Sequence, residues 1–172
     1  MEQKNFKELL RNVKGMVFDV DGVLTDGTLI LMPDGELVRT MNIRDGIVMK
    51  IAVKKGYHVC IITGGNNAAV KQRLNRLGIT DIYMKTENKW EAMKEFLASY
   101  DLKTDEILYM GDDLVDHEAM TKIGVPVCPK DAVPEIKEIS LYVSHIEGGK
   151  GCVRDVIEQV MKVQGKWEIP KW

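Results

Sequence analysis

The chain has almost no net charge, few cysteines and no long apolar run, and each shortage removes a class of function. Its 24 basic and 26 acidic residues leave a formal charge of -2. That balance offers no electrostatic footprint for a polyanion, which argues against nucleic acid as a partner. Cys60, Cys128 and Cys152 lie far apart and fit neither a zinc spacing nor a disulfide framework, so they read as buried thiols. No stretch reaches the length of a membrane span, and the opening MEQKNFKELL lacks the apolar centre of a signal peptide. The expectation is a cytoplasmic protein with no membrane partner. Low-complexity segments and linkers are missing too.

What is there is a chain of 172 residues, 45 % apolar and 29 % charged. That is enough for a single domain over 1-172 with a real core. KGMVFDV reads as a strand buried on both faces. TLILM and ELVRTM flank the turn signal PDG and predict a β-hairpin over about 28-40. IVMKIAVKKG has helical spacing with a stop at Gly56. After it, strands and helices alternate: YHVCIIT, a helix over 66-77, DIYMK, KWEAMKEFLASY, EILYMG, DHEAMTKIG, VPVCP. LYVSH, the glycine run GGKG, the helix CVRDVIEQVMKV and a tail over about 164-172 complete the chain. Such alternation predicts an α/β fold with a mainly parallel sheet, in which ligands bind beyond the carboxyl ends of the strands.

Polar groups gather at those ends. VFDVDGVLTDG places Asp19 and Asp21 after the first strand. IITGG ends another strand with Thr63 and Gly64, Lys89 opens the helix after DIYMKTEN, and YMGDDLVD ends a third strand with Asp112, Asp113 and Asp116. A calcium loop is excluded, because Val23 and Ile30 stand where oxygen ligands are required. A Walker loop is excluded because Gly151 follows Lys150. Each cluster alone suits a helix cap or a turn; their order, each beyond a strand, points to one site.

At these residues the sequence resembles the haloacid dehalogenase superfamily of phosphohydrolases. DxDGxxT runs from Asp19 to Thr25, Thr63 and Lys89 follow, and GDDxxD runs from Gly111 to Asp116. The likeness narrows to the capless branch acting on 3-deoxy-2-ulosonate phosphates, typified by 3-deoxy-D-manno-octulosonate 8-phosphate (KDO 8-phosphate) phosphatase. It covers DGVLTDG, the hairpin, NIRDG, ITGG, GDDLVD and GGKGCVRDV. It implies a Rossmann-like, doubly wound sheet with a hairpin inserted after the first strand. It also implies hydrolysis of KDO 8-phosphate in lipopolysaccharide precursor synthesis.

The implied chemistry assigns roles. Asp19 is the nucleophile, forming an aspartyl-phosphate. Mg2+ binds the Asp19 carboxylate, the Asp21 backbone carbonyl and the Asp112 carboxylate. Asp21 protonates the leaving alkoxide and then deprotonates water. Thr63 and Gly64 bind a phosphoryl oxygen, and Lys89 neutralises charge. Asp113 and Asp116 orient Lys89 and metal-bound water, Asp116 also suiting a helix cap.

No cap domain fits between these motifs. The stretch from Asp21 to Thr63 already holds a hairpin and a helix, and that from Thr63 to Lys89 has room for one helix and one strand. The resemblance implies a homotetramer in which hairpins assemble and a neighbouring subunit covers each site; an edge hairpin over its own domain is the other reading. Asn42 and Arg44 lie near the site mouth as candidate sugar-acid contacts, with Asp45 suiting an N-cap or a ligand contact. Arg76 falls where relatives place a basic residue reaching a neighbour's sugar, though a solvated helix face also accounts for it. GGKG reads either as a flexible closure anchored by Arg154 or as a plain turn. Gly65 stands where eight-carbon enzymes often carry Arg and nine-carbon enzymes Glu. The missing acid argues against the alternative, a nine-carbon 2-keto-3-deoxy sugar acid 9-phosphate. A phosphomutase lacks residues for a second phosphate, and the intact acid set argues against a non-catalytic assembly domain. Trp167 and Trp172 in the tail suit docking on a partner subunit.

Overall fold

The computed structural model describes residues 5-169. After a short helix α1 (Phe6–Leu9), β1 (Gly15–Phe18) is apolar and buried throughout, as a central strand covered on both faces must be. A hairpin, β2 (Ile30–Leu31) and β3 (Leu37–Val38), and helix α2 (Ile43–Lys54) lead to β4 (His58–Ile62). Then come α3 (Ala68–Arg76), β5 (Asp81–Tyr83), α4 (Lys89–Ser99), β6 (Ile107–Met110) and α5 (Leu114–Thr121). β7 (Val125–Cys128), α6 (Pro134–Ile139), β8 (Tyr142–Val143) and α7 (Cys152–Val163) complete the order.

The main sheet has the order β5-β4-β1-β6-β7-β8, and every pairing in it is parallel. Successive strand residues feed opposite faces. Met16 and Phe18, Val59 and Ile61, Leu108 and Met110 join one core with residues of α2, α3 and α7. Val17, Cys60, Ile62 and Tyr109 join the other with residues of α4, α5 and α6. On α7, Val153, Val156, Ile157, Val160 and Met161 form the stripe that a helix lying on a sheet requires. All three cysteines are buried and unpaired, as their spacing implies. No helix among the described residues is long and apolar enough to cross a membrane.

The chain winds outward from β1 in one direction to β5, then returns through α4 to β6 on β1's other side. The winding therefore reverses at the carboxyl end of β1, where a parallel sheet opens a crevice for a ligand.

Some elements differ from the sequence reading. The hairpin pairs over only two residues per strand, Ile30 with Val38 and Leu31 with Leu37. Its strand residues are largely exposed, and a two-stranded ribbon with little buried apolar surface is marginal by itself. α2 starts earlier, at Ile43, because the Asn42 side chain accepts the Arg44 amide at 2.8 Å. Asp45 is thus not that helix's N-cap. α5 likewise starts earlier, at Leu114. VPEIKEI forms a short helix begun by Pro134, a residue suited to a first helical turn. Trp167 packs partly buried against its own chain's core, with the Lys162 ammonium 5.7 Å from its ring centre. Trp172 lies outside the described residues.

Candidate active site

Three adjacent strand ends converge at the crevice. Asp19 follows β1 directly, and its amide donates to the Met110 carbonyl of β6 at 3.1 Å. Its own Oδ1 accepts the Val20 amide at 2.7 Å. The chain then turns through a distorted helical segment, Val20–Leu24, broken by extended backbone at Asp21 and by Gly22 at φ +91°. Thr25, fully buried, closes this loop by accepting the amides of Gly22 and Gly27 at 3.3 and 3.2 Å. Gly22 has a second reason to lack a side chain: a Cβ there would overlap the Asp112 carboxylate, which arrives from the end of β6. Glycine alone lets the two strand ends approach this closely.

Lys89, the first residue of α4, is 4 % exposed. The Asn88 side chain caps that helix by accepting the Trp90 and Glu91 amides. The Lys89 ammonium lies 3.0 Å from Asp19 Oδ1 and donates to Asp116 Oδ1 at 2.7 Å. Asp116 is fully buried and saturated. Its Oδ1 also accepts the Tyr109 hydroxyl at 2.8 Å, and its Oδ2 accepts the Asp112 and Asp113 amides. Asp113 is the exposed N-cap of α5, accepting the Leu114 amide. Tyr109 carries no motif; the sign of its role is a hydroxyl inside an otherwise apolar strand.

Charge here is unbalanced. Burial, and then repulsion from Asp116, raise the Asp19 carboxyl to about 7 against the pull of Lys89. Burial, with Asp19 and Asp116 beside it, raises Asp112 to about 8. For Lys89, burial works against the charged form, but Asp19 and Asp116 outweigh it and hold the ammonium above its ordinary value. One cation thus serves three carboxylates. Asp19, Asp112 and Asp116 can each offer an oxygen within 4.8 Å of the others, and the buried Asp112 Oδ1 has no hydrogen-bond partner. Saturated Asp116 is spoken for, which leaves Asp19 and Asp112 facing the place where a hard divalent cation fits.

On the β4 side, Thr63 is 2 % exposed. Its amide donates to Tyr83 and its carbonyl accepts from Thr86, so β5 and the following loop fix it. Its hydroxyl accepts the Gly65 amide at 3.1 Å. A Cβ at Gly65 would lie 3.5 Å from Asp21 Oδ2, which puts the β4 end and the β1 end side by side. Gly64 is exposed in this loop.

The outer candidates spread out. Asn42 Nδ2 donates to the Gly149 carbonyl at 3.3 Å, so this side chain holds the glycine run as well as capping α2. That run is packed rather than free. The Gly149 amide donates to Val23 O at 2.9 Å, and a Cβ at Gly148 would overlap the Gly22 carbonyl. Arg154 anchors it through its amide, donated to buried Asp45 Oδ1 at 2.8 Å, while its guanidinium pairs with Glu158. Arg44 is exposed and lines a separate cleft with Lys150 and Arg154. Arg76 is exposed on α3, whereas Arg73, three residues earlier, lines a cavity of about 250 Å3 at the foot of the hairpin with Glu36, Arg39 and Asn67. Arg39 itself donates to both oxygens of Asp21; a lone arginine after a hairpin strand gives no sequence signal of that contact.

A buried carboxylate beside a buried ammonium, a second acid placed to share a cation with it and a further acid two residues on make a set suited to phosphoryl transfer. Comparison with known proteins agrees. The haloacid dehalogenase-like hydrolase family matches residues 75–151. The 3-deoxy-D-manno-octulosonate 8-phosphate phosphatase of Salmonella typhi is 36 % identical over 160 residues, 93 % of this chain and 85 % of that protein. The Escherichia coli K12 phosphatase of the same name is also 36 % identical, with the same coverage. The crystal structure of the Yersinia pestis phosphatase superposes with a TM-score of 0.92 at 33 % identity, covering 95 % of this chain and 88 % of that one. The Moraxella catarrhalis enzyme, crystallised with magnesium, phosphate and KDO, gives 0.91 at 27 % identity, covering 95 % and 94 %.

Proposed function

This chain belongs to the 3-deoxy-D-manno-octulosonate 8-phosphate phosphatase family of haloacid dehalogenase-like hydrolases, and on that premise we propose that it hydrolyses KDO 8-phosphate to KDO and inorganic phosphate. The observation that carries the reading is the Lys89 ammonium shared by Asp19 and Asp116 beside the partnerless Asp112 oxygen.

Asp19 attacks phosphorus and forms an aspartyl-phosphate; the P–O bond to the sugar breaks. Asp21 gives its proton to the departing alkoxide and later takes one from the water that cleaves the acyl phosphate. Lys89 holds Asp19 in line and, with Thr63 and the Gly64 amide, takes up phosphoryl charge. Asp113 and Asp116 keep α5 and Lys89 in place. The carboxylates of Asp19 and Asp112 and the Asp21 backbone carbonyl would hold Mg2+, which supplies neutralisation of the charge between nucleophile and phosphate. Asn42, Arg44 and Arg76 are the candidate contacts to the sugar acid.

The assembly part of the proposal is a homotetramer, with a neighbouring subunit covering the site. It is supported by apolar side chains left in solvent on the hairpin and beside it: Ile30 at 56 %, Leu31 at 74 % and Ile43 at 70 % exposure. The reading places the enzyme in the cytoplasm, in lipopolysaccharide precursor synthesis.

The test is phosphate release with Mg2+ and with EDTA, across eight-carbon and nine-carbon ulosonate phosphates and common hexose phosphates. Mg2+-dependent preference for KDO 8-phosphate is expected. Preference for a nine-carbon acid would move the substrate, and no release from any ester would leave a non-catalytic assembly role.

A further inference from the structure

Arg39 lies outside every motif, yet its side chain is only 7 % exposed and ends on Asp21. Its Nε donates to Oδ1 at 2.6 Å and its Nη2 to Oδ2 at 3.1 Å. A two-point fork fixes the plane and direction of a carboxylate, whereas a single donor leaves it free to rotate. The arginine is itself fixed. Its Nη1 donates to the Leu37 carbonyl at 3.0 Å, and the same carbonyl accepts from Asn67 Nδ2 at 3.1 Å. Asn67 is the N-cap of α3. A line of contacts therefore runs from the α3 terminus through the hairpin's second strand to Asp21. Gly65 lies alongside the pair: a Cβ there would sit in ordinary contact, 3.5 Å from both Arg39 Nη2 and Asp21 Oδ2.

We propose that Arg39 is a positioning residue that aims the Asp21 carboxyl group at the leaving oxygen, so that the hairpin contributes to turnover as well as to surface. The inference rests on the phosphatase reading, with Asp21 as the proton donor. Proton donation matters when the leaving group is a basic alkoxide and hardly at all when it is nitrophenolate, which departs unprotonated. Misaiming Asp21 therefore slows phosphoryl transfer from the alkyl ester and spares transfer from the aryl ester. The water-activating step that Asp21 also serves is common to both, so the comparison is made on kcat/KM, which reports the steps up to transfer.

The experiment compares Arg39→Ala and Arg39→Lys with the wild type in Mg2+, on β-glycerophosphate and on p-nitrophenyl phosphate. For Arg39→Ala, kcat/KM on the alkyl ester is expected to fall about 10- to 100-fold, the range expected for a misplaced catalytic group. On the aryl ester kcat/KM should lose less than about threefold, because transfer with nitrophenolate departing needs no leaving-group proton. Added guanidinium ion should restore part of the alkyl-ester rate. Arg39→Lys should fall between, since an ammonium supplies charge without the fork. Equal loss of kcat/KM on both esters, or full activity in Arg39→Lys, would overturn the proposal. Wild-type inactivity on both esters and on every ulosonate phosphate would instead bring down the phosphatase reading itself. Sugar-acid phosphates are assayed separately, so a wrong sugar leaves the comparison intact.

Discussion

At the scale of single residues the site is a problem of charge. Lys89 is the lone ammonium among three buried or half-buried carboxylates, and Asp116 depends on it for compensation. Lys89→Met should abolish phosphate release and also lower stability by about 3–5 kcal/mol, the usual result of stranding one partner of a buried pair; denaturant titration checks this. Asp19→Asn should behave oppositely in the fold. Turnover should drop by at least about 10^3-fold, because the nucleophile is gone. The metal-free melting temperature should hold or rise, since burial and Asp116 both oppose the Asp19 charge that the substitution removes. Activity and melting curves on one preparation separate the two effects. Asp19, Asp21, Lys89 and Asp112 were legible as polar groups beyond strand ends, and their roles came from the family resemblance. Tyr109 and Arg39 were not, because a phenol in a strand and an arginine after a hairpin acquire partners only when distant segments meet.

At the scale of elements, helix ends carry the organisation. The residue before α7, Gly151, offers no side-chain cap. Asp45 on α2 supplies one from across the fold by accepting the Arg154 amide. Burial raises its carboxyl to about 6, against the opposing pull of that amide. Asp45→Ala should cost about 1 kcal/mol, typical of a lost cap, and should loosen the packed glycine run; hydrogen exchange at Gly149 and Arg154 reads the second effect. The hairpin is the other decisive element. Leu31→Asp places a charge on its most exposed apolar position. Light scattering should then show smaller particles than the wild type, with melting temperature nearly unchanged because the substitution touches no core.

At the scale of the whole molecule, the acid cluster ties stability to pH and metal. The carboxyls of Asp19 and Asp112 sit at about 7 and about 8, above their ordinary value of 3.8. A carboxyl raised by folding favours the fold while protonated, so its contribution is complete below about pH 4 and is lost as pH climbs through 7 to 8. The metal-free protein should therefore melt at lower temperature at pH 8.5 than at pH 6. Mg2+ requires both groups ionised, so its stabilisation should grow over the same interval. Differential scanning fluorimetry with and without EDTA measures both trends. A fall in the Mg2+ effect with rising pH would contradict the assigned ligands.

The sequence by itself determined the alternation of strands and helices, the parallel sheet and the strand ends that bear the acids. These follow from local periodicity and from apolar runs such as GMVF, which have few alternatives. It also placed α7 residue for residue, because a long stripe of apolar positions leaves little freedom. Only the tertiary structure decided which polar groups touch. It added Tyr109 to the contact between Asp116 and Lys89 that the resemblance implied, and it gave Asp45 to another helix's terminus, Trp167 to its own core, and Arg39 to Asp21. Those choices depend on contacts between residues far apart in the chain, and periodicity carries no information about them.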